Sequence, residues 1–140
     1  PAVWKQFIQP ELRRDAALAH EAGSKFAYII TDRAMPLLDL IADSGVDVII
    51  GVDPAAYDLK ETKAILGGKV CLWGGVNGHL TVEHGSPASV KAEVTTALQS
   101  LGPDGFILSP VDNVREDTPL AMDNVNVLIN TWQEVTGQVH

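Results

Sequence analysis

Cysteine is almost absent: Cys71 is the only one in 140 residues. One thiol cannot build an internal disulfide framework, and its isolation fits a chain that folds in a reducing compartment. Cations are scarce too, with 10 lysines and arginines against 18 acidic residues and a formal charge of −8. Nucleic acid and anionic membranes both select cationic surfaces, so neither is an expected partner. No apolar run approaches the roughly 18 residues of a membrane-spanning helix. The first residues lack the basic, apolar, small-residue order of a secretory signal. A cytoplasmic location is therefore the expectation. Nucleotide-binding signatures are missing as well, since no strand-to-helix junction carries G-x-G-x-x-G or G-x-x-x-x-G-K-[ST]. What is present is an apolar fraction of 46%, enough for one globular domain over residues 1–140.

The most informative stretch runs from Lys69 to His79, passing from the apolar Val70-Cys71-Leu72-Trp73 through Gly74-Gly75 to the polar tip Asn77-Gly78-His79. An uninterrupted apolar run suits a strand covered on both faces, and paired glycines let backbone or ligand approach closely. The rest of the chain repeats this design. Ala2 to Gly23 reads as a short helix and then a second with Pro10 in its first turn. Lys25–Ile30 is a strand, followed by a helix with Leu37, Leu38 and Ile41 on one face and Gly45 as its stop. Val46–Gly51 is the next strand and Asp58–Leu66 the next helix. After the Lys69 strand comes a long loop, Gly78 to Gly85, and a helix capped by Ser86-Pro87 that buries Val90, Val94, Ala97, Leu98 and Leu101. Gly102-Pro103-Asp104-Gly105 is a turn, and Phe106–Ser109 the fourth strand. Thr118-Pro119 opens the last helix, with Val125, Leu128, Ile129, Trp132 and Val135 on its expected buried side.

Strands separated throughout by helices predict an α/β fold with a parallel sheet of right-handed crossovers. Two architectures satisfy this pattern: an open doubly wound sheet and part of a closed eight-unit barrel. Several segments together resemble the C-terminal part of the uroporphyrinogen decarboxylase superfamily. They are Phe7-Ile8-Gln9-Pro10, the run from Pro36 to Asp47, Trp73-Gly74-Gly75-Val76-Asn77, and Phe106-Ile107-Leu108-Ser109-Pro110, followed by Thr118-Pro119 and Asn124. The resemblance runs nearly end to end. It implies a (β/α)4 half of a (β/α)8 TIM barrel preceded by an N-terminal helix, a fragment that begins at Pro1 without methionine. Such a half would expose two sheet edges and an apolar inner face, which favours self-association or pairing with an N-terminal half.

In a barrel the reacting groups sit at the C-terminal ends of the strands. Each strand here delivers a polar residue there: Asp32, Asp53, Asn77 and Asp112, with Arg33, His79, Asn113 and Arg115 just beyond. Asp and Asn also favour loops and helix caps generally. Arg33 and Arg115 are candidates for gripping a substrate carboxylate, because guanidinium binds carboxylate as a bidentate fork. Asp53, Asn77 and Asn113 are further candidate substrate-binding groups. Asp32, Asp112 and His79 are candidate catalytic groups, the histidine as a proton donor near neutral pH. His20, His84 and His140 show no partner pattern.

By resemblance the function is that of a carboxy-lyase removing carboxylates from tetrapyrrole acetate side chains without a cofactor, in porphyrin biosynthesis. Two alternatives stand beside it, a corrinoid-linked methyltransferase of the same superfamily and a non-catalytic binding or assembly domain. The methyltransferase branch binds zinc through a His-x-Cys pair and a later cysteine. Those positions fall here on Ile30 and Asp32, or Thr31, and no cysteine occurs in Ser109–Asn113, so no metal is expected. The decarboxylase motifs are altered as well: Val111-Asp112-Asn113 replaces Gly-His-Gly, and Gly74-Gly75-Val76-Asn77 replaces Gly-Asn-x-Asp. This chain alone is expected to be an incomplete catalyst.

Overall fold

Prolines and side-chain oxygens begin most of the helices, and glycines follow several of them. In the computed structural model, which describes residues 1–31 and 33–138, α1 (Ala2–Phe7) and α2 (Gln9–Glu21) meet at Ile8, with Pro10 in the first turn of α2. The strand β1 (Ala27–Ile29) leads through a short 3-10 turn, Met35–Leu37, into α3 (Leu38–Ala42). Then come β2 (Val48–Val52) and α4 (Leu59–Leu66), the latter capped by Asp58 Oδ1, which accepts the Glu61 N–H at 2.9 Å. β3 (Cys71–Asn77) passes directly into a π-helix, Gly78–Glu83, and then α5 (Pro87–Leu101), capped by Ser86. β4 (Phe106–Val111) and α6 (Pro119–Thr136), capped by Thr118, complete the chain.

The four strands form one parallel sheet in the order β1-β2-β3-β4. A doubly wound sheet reverses its order at a switch point and carries helices on both faces. Neither feature occurs among the described residues. Leu72, Ile49 and Val52 are fully buried on one face, in a cluster with Leu38, Ile41, Leu66 and Leu101 from α3, α4 and α5. Burying each such side chain is worth about 1.5–3 kcal/mol, so this face carries most of the fold's stability. The other face shows a row in strict register, Ile29, Ile50, Trp73 and Ile107, with Ile29 62%, Trp73 37% and Ile107 41% exposed. Strands covered on both faces were the expectation. Four strands make half the circumference of an eight-stranded barrel, so this row faces a concavity instead of opposing strands. The fold is thus a (β/α)4 half-barrel with helices at its N-terminus.

Two other expectations change. Gly78 to Glu83 is helical, not a loop, because Asn77 Oδ1 accepts the Leu80 N–H at 2.6 Å and Val82 is fully buried beside Val76, Val90 and Val94. On α6 the fully buried line is Ala121, Asn124 and Thr131; of the expected stripe, Val125 and Leu128 pack partly buried against the core and Trp132 is half-buried, while Ile129 and Val135 are 44% and 45% exposed. The contact stripe therefore joins small residues and one paired amide to part of the expected hydrophobic line.

The sheet is also pinned at the N-terminal ends of its strands. Asp47 accepts from His20 Nε2 at 2.7 Å, Lys25 Nζ at 2.8 Å and the Phe26 N–H at 2.9 Å. His20, which had no partner pattern in the sequence, thereby joins α2 to the start of β2. These donors, the lysine first, hold the Asp47 carboxyl far below the usual range.

Candidate functional site

The parity of a strand decides which side chains reach the concave face. Along β2, strict alternation from inward-facing Ile50 would bury Asp53 among the helices. The register between β2 and β3 shifts between Ile50 and Val52, leaving Gly51 as an extra residue at φ +100. That bulge turns Val52 into the core and Asp53 toward the concavity. On β3, Gly74 and Gly75 both have positive φ, and a Cβ at Gly75 would meet Phe106 and Ala97 at 2.8 and 2.9 Å. The glycine pair therefore belongs inside the strand, where it lets α5 pack close.

A cavity of about 630 Å³ opens at this end of the sheet. Its floor is Ile29, Ile50 and Trp73, and its rim is Thr31, Asp53, Tyr57, Ser109, Asp112, Asn113 and Arg115. The size suits a substantial organic ligand. Among the described residues the Arg115 guanidinium makes no ion pair, so it is available to an anion. Asp112 is the one non-glycine residue at positive φ, +65, among the described residues. Aspartate tolerates this conformation better than most side chains, and such outliers concentrate at functional rims. Tyr57, buried, accepts the Ala34 N–H at 2.9 Å and so ties the segment after β1 to the cavity wall.

Behind the rim lies an ordered polar relay. Asn77 Nδ2 donates to both Asp53 carboxylate oxygens, at 3.1 and 2.9 Å. Asp53 Oδ1 also accepts the Ala55 N–H at 2.9 Å. Glu93 of α5 fixes Asn77 in turn, accepting its N–H through Oε1 and the Thr81 hydroxyl, at 2.8 Å, through Oε2. Asp53 is thereby held in one orientation at the cavity edge.

A second carboxylate holds the loop after β4. Glu83 is 2% exposed, and its Oε1 accepts the backbone N–H groups of Arg115 and Glu116 while its Oε2 pairs with His79 Nδ1 at 2.8 Å. The Arg115 amide first, then His79, lowers its pKa from 4.5 to about 2. Both Glu83 and Asp47 have depressed folded-state values, so their stabilisation is complete above the unfolded values, 4.5 and 3.8, and is lost as pH falls below them. Urea midpoints are expected to stay level from pH 7 to about 5 and then drop toward about pH 2. Glu83→Gln and Asp47→Asn should each flatten that acid limb; an unchanged limb in both variants would contradict the assignment.

The predicted site residues thus separate. Asp53, Asp112, Asn113 and Arg115 line the cavity. Asn77 stands one layer behind, on Asp53. Arg33 is exposed and outside the cavity lining, and His79 lies beside Glu83, away from it. Asp32 and His140 lie outside the described residues. Glu83, Glu93, Tyr57 and Trp73 carry geometry that the sequence reading had not assigned. For Glu83 the signal was its spacing of four from His79; for Glu93, sixteen residues from Asn77, no local signal exists.

The zinc ligands of the methyltransferase branch have no counterparts in place. Ile30 is buried in the apolar core, Thr31 offers only a hydroxyl, and Ser109–Asn113 contains no thiol. Cys71 lines a different cavity, with Lys25, Asp47, Gly68 and Gly105 at the opposite ends of the strands, and burial raises its pKa. Asp32, the other candidate position, lies outside the described residues, and the described ones do not fit that metal.

Known proteins match this arrangement. A methyltransferase from Methanosarcina mazei superposes with a TM-score of 0.80 at 27% identity, covering 97% of this chain and 38% of its own. Uroporphyrinogen decarboxylase from Chlorobium luteolum is 29% identical over 109 residues, 74% of this chain and 29% of that protein. The chain therefore spans well under half the length of both relatives. The family profile for uroporphyrinogen decarboxylase (URO-D) matches residues 1–135, and the chain belongs to that family.

Proposed function

We propose that this chain supplies one wall of the active site of a carboxy-lyase acting on acetate side chains of a tetrapyrrole. The observation that carries the reading is the apolar floor of Ile29, Ile50 and Trp73 beneath a rim holding one available guanidinium and two carboxylates. A flat macrocycle with carboxylate arms needs both parts: apolar surface for the ring and a cation for an arm. In the reaction, a proton adds to the pyrrole α-carbon next to the carbon that bears the acetate arm. The arm then loses CO₂, its bonding electrons form an exocyclic methylene and neutralise the ring cation, the methylene takes up a proton to become methyl, and the ring releases the proton it first gained. Asp53 and Asp112 are placed to stabilise the cationic ring, and Arg115 to hold a neighbouring carboxylate. Asn77 and Glu93 keep Asp53 aimed.

Porphyrinogen turnover by the polypeptide that carries this chain, followed as loss of carboxylates by chromatography, is the test. Arg115→Ala is expected to lower kcat/KM roughly 10- to 100-fold, mainly through KM. Asp112→Asn should lower kcat by about 100-fold or more. Full activity in both variants would refute the reading. The Methanosarcina relative favours methyl transfer as the second reading. Transfer of a methyl group to a free corrinoid, with no porphyrinogen turnover, would decide for it. Absence of both activities and of porphyrin binding would leave an assembly role.

A further inference from the structure

The π-helix brings together three metal-binding side chains that the cavity does not use. In an α-helix, residues five apart point to different sides, whereas i→i+5 hydrogen bonding sets them close to one another, and such turns concentrate at functional sites. His79 and His84 are five apart across Gly78–Glu83, and their rings meet edge to face with centroids 4.6 Å apart. Glu83 sits between them in sequence, and one donor atom from each of His79, Glu83 and His84 lies within 4.8 Å of the others.

We propose that His79, Glu83 and His84 form a binding site for a divalent transition metal ion, with zinc(II) as the reference ion. Three features support this beyond proximity. The Glu83 carboxylate is buried and accepts backbone N–H groups, yet its one ion-pair partner among the described residues is the imidazole of His79. A buried anion without a permanent cation is a group a metal would complete. Its Oε1 is oriented by the Arg115 and Glu116 amides, which is how ligating carboxylates are commonly held from behind. Two imidazoles and one carboxylate are, finally, a donor set suited to zinc and its neighbours, with a position left for water or another group. Glu116 Oε1, 3.6 Å from His84 Nε2, is close enough to join after a side-chain rotation. The site is thiol-free and distinct from the thiolate set that this chain lacks.

Occupancy would clamp the π-helix to the loop after β4, because Glu83 already grips the backbone of Arg115 and Glu116. The metal would thereby order the rim that carries Asp112 and Arg115, without entering the cavity.

The experiment is calorimetric titration of zinc(II) into the chelator-stripped chain, free of any polyhistidine tag. One equivalent is expected to bind with a micromolar or tighter Kd. His79→Ala and His84→Ala should each weaken it at least about tenfold, and the double variant should abolish it. Both side chains are about half exposed, 52% and 45%, so circular dichroism should show the variants folded. His20→Ala should leave the titration unchanged. Cobalt(II) in place of zinc should give visible bands without a thiolate charge-transfer band. The proposal is overturned by no zinc uptake, by equal uptake in the double variant, by loss of uptake on replacing His20, or by a thiolate band placing the metal on Cys71. None of these outcomes depends on which reaction the cavity performs.

Discussion

Gly51→Ala is expected to cost about 3–5 kcal/mol and to lower the thermal midpoint by roughly 10–20 °C. Two penalties add. The backbone at φ +100 is one that side chains rarely adopt, and the new Cβ would stand 2.1 Å from the Ile30 carbonyl oxygen. That oxygen belongs to backbone already tied to β2, the Ile30 N–H donating to the Ile50 carbonyl at 2.9 Å. Neither partner can swing aside as a side-chain tip would. Gly68 provides the contrast, with a positive φ of +80 but nothing within 4 Å. Gly68→Ala should cost only about 1 kcal/mol. Thermal melts of both variants decide the matter: equal midpoints would remove the contact with Ile30 as the cause. Because Gly51 also sets the parity that delivers Asp53, any folded Gly51→Ala protein should bind ligand poorly as well.

Asn124 carries the second large effect. It is fully buried on α6, and its Nδ2 donates to the carbonyls of Val82 at 3.0 Å and Gly85 at 2.8 Å. Those carbonyls close the π-helix and the turn after it. Asn124→Leu keeps the branched outline of the side chain but strands both acceptors away from water, an expected loss of about 2–4 kcal/mol. Asn124→Asp should be worse at neutral pH, since a buried carboxylate would face two carbonyl oxygens. It should recover in part as the pH falls and the carboxyl gains a proton to donate. Chemical denaturation at two pH values separates the cases. If the aspartate variant is as stable as wild type at pH 7, the amide does not clamp the π-helix to α6. Among the described residues the Oδ1 of Asn124 has no hydrogen-bond partner, so the contribution rests on the amide nitrogen.

These two residues also mark the boundary between what was legible in the chain and what was not. Local rules located each strand and α-helix because their signals are contiguous. Ser86-Pro87 and Thr118-Pro119 start helices in place, and β-branched runs end in Asp or Asn as barrel strands do. They failed where a residue's role depends on a distant contact. The segment Gly78–Gly85 looked like a loop because glycine and histidine are poor helix formers. Its helical form rests on Asn77 as cap, on buried Val82, and on Asn124 thirty-nine to forty-two residues away. The expected stripe on α6 followed hydrophobicity alone and so missed a buried asparagine.

The sequence by itself determined the repeating strand-helix order and the delivery of polar residues to one end of the sheet, since both follow from short-range pattern and spacing, and it carried the family in its motifs. Only the tertiary structure decided which of those residues share a cavity. A bulge at Gly51 turns Asp53 inward, while Glu83 reaches across thirty-two residues to hold Arg115. It likewise decided that His79 stands beside Glu83 and His84, away from the cavity rim. The physical reason is common to all three. Strand parity, a buried carboxylate's choice of donors and the pitch of a helical turn are fixed by packing among segments far apart in the chain.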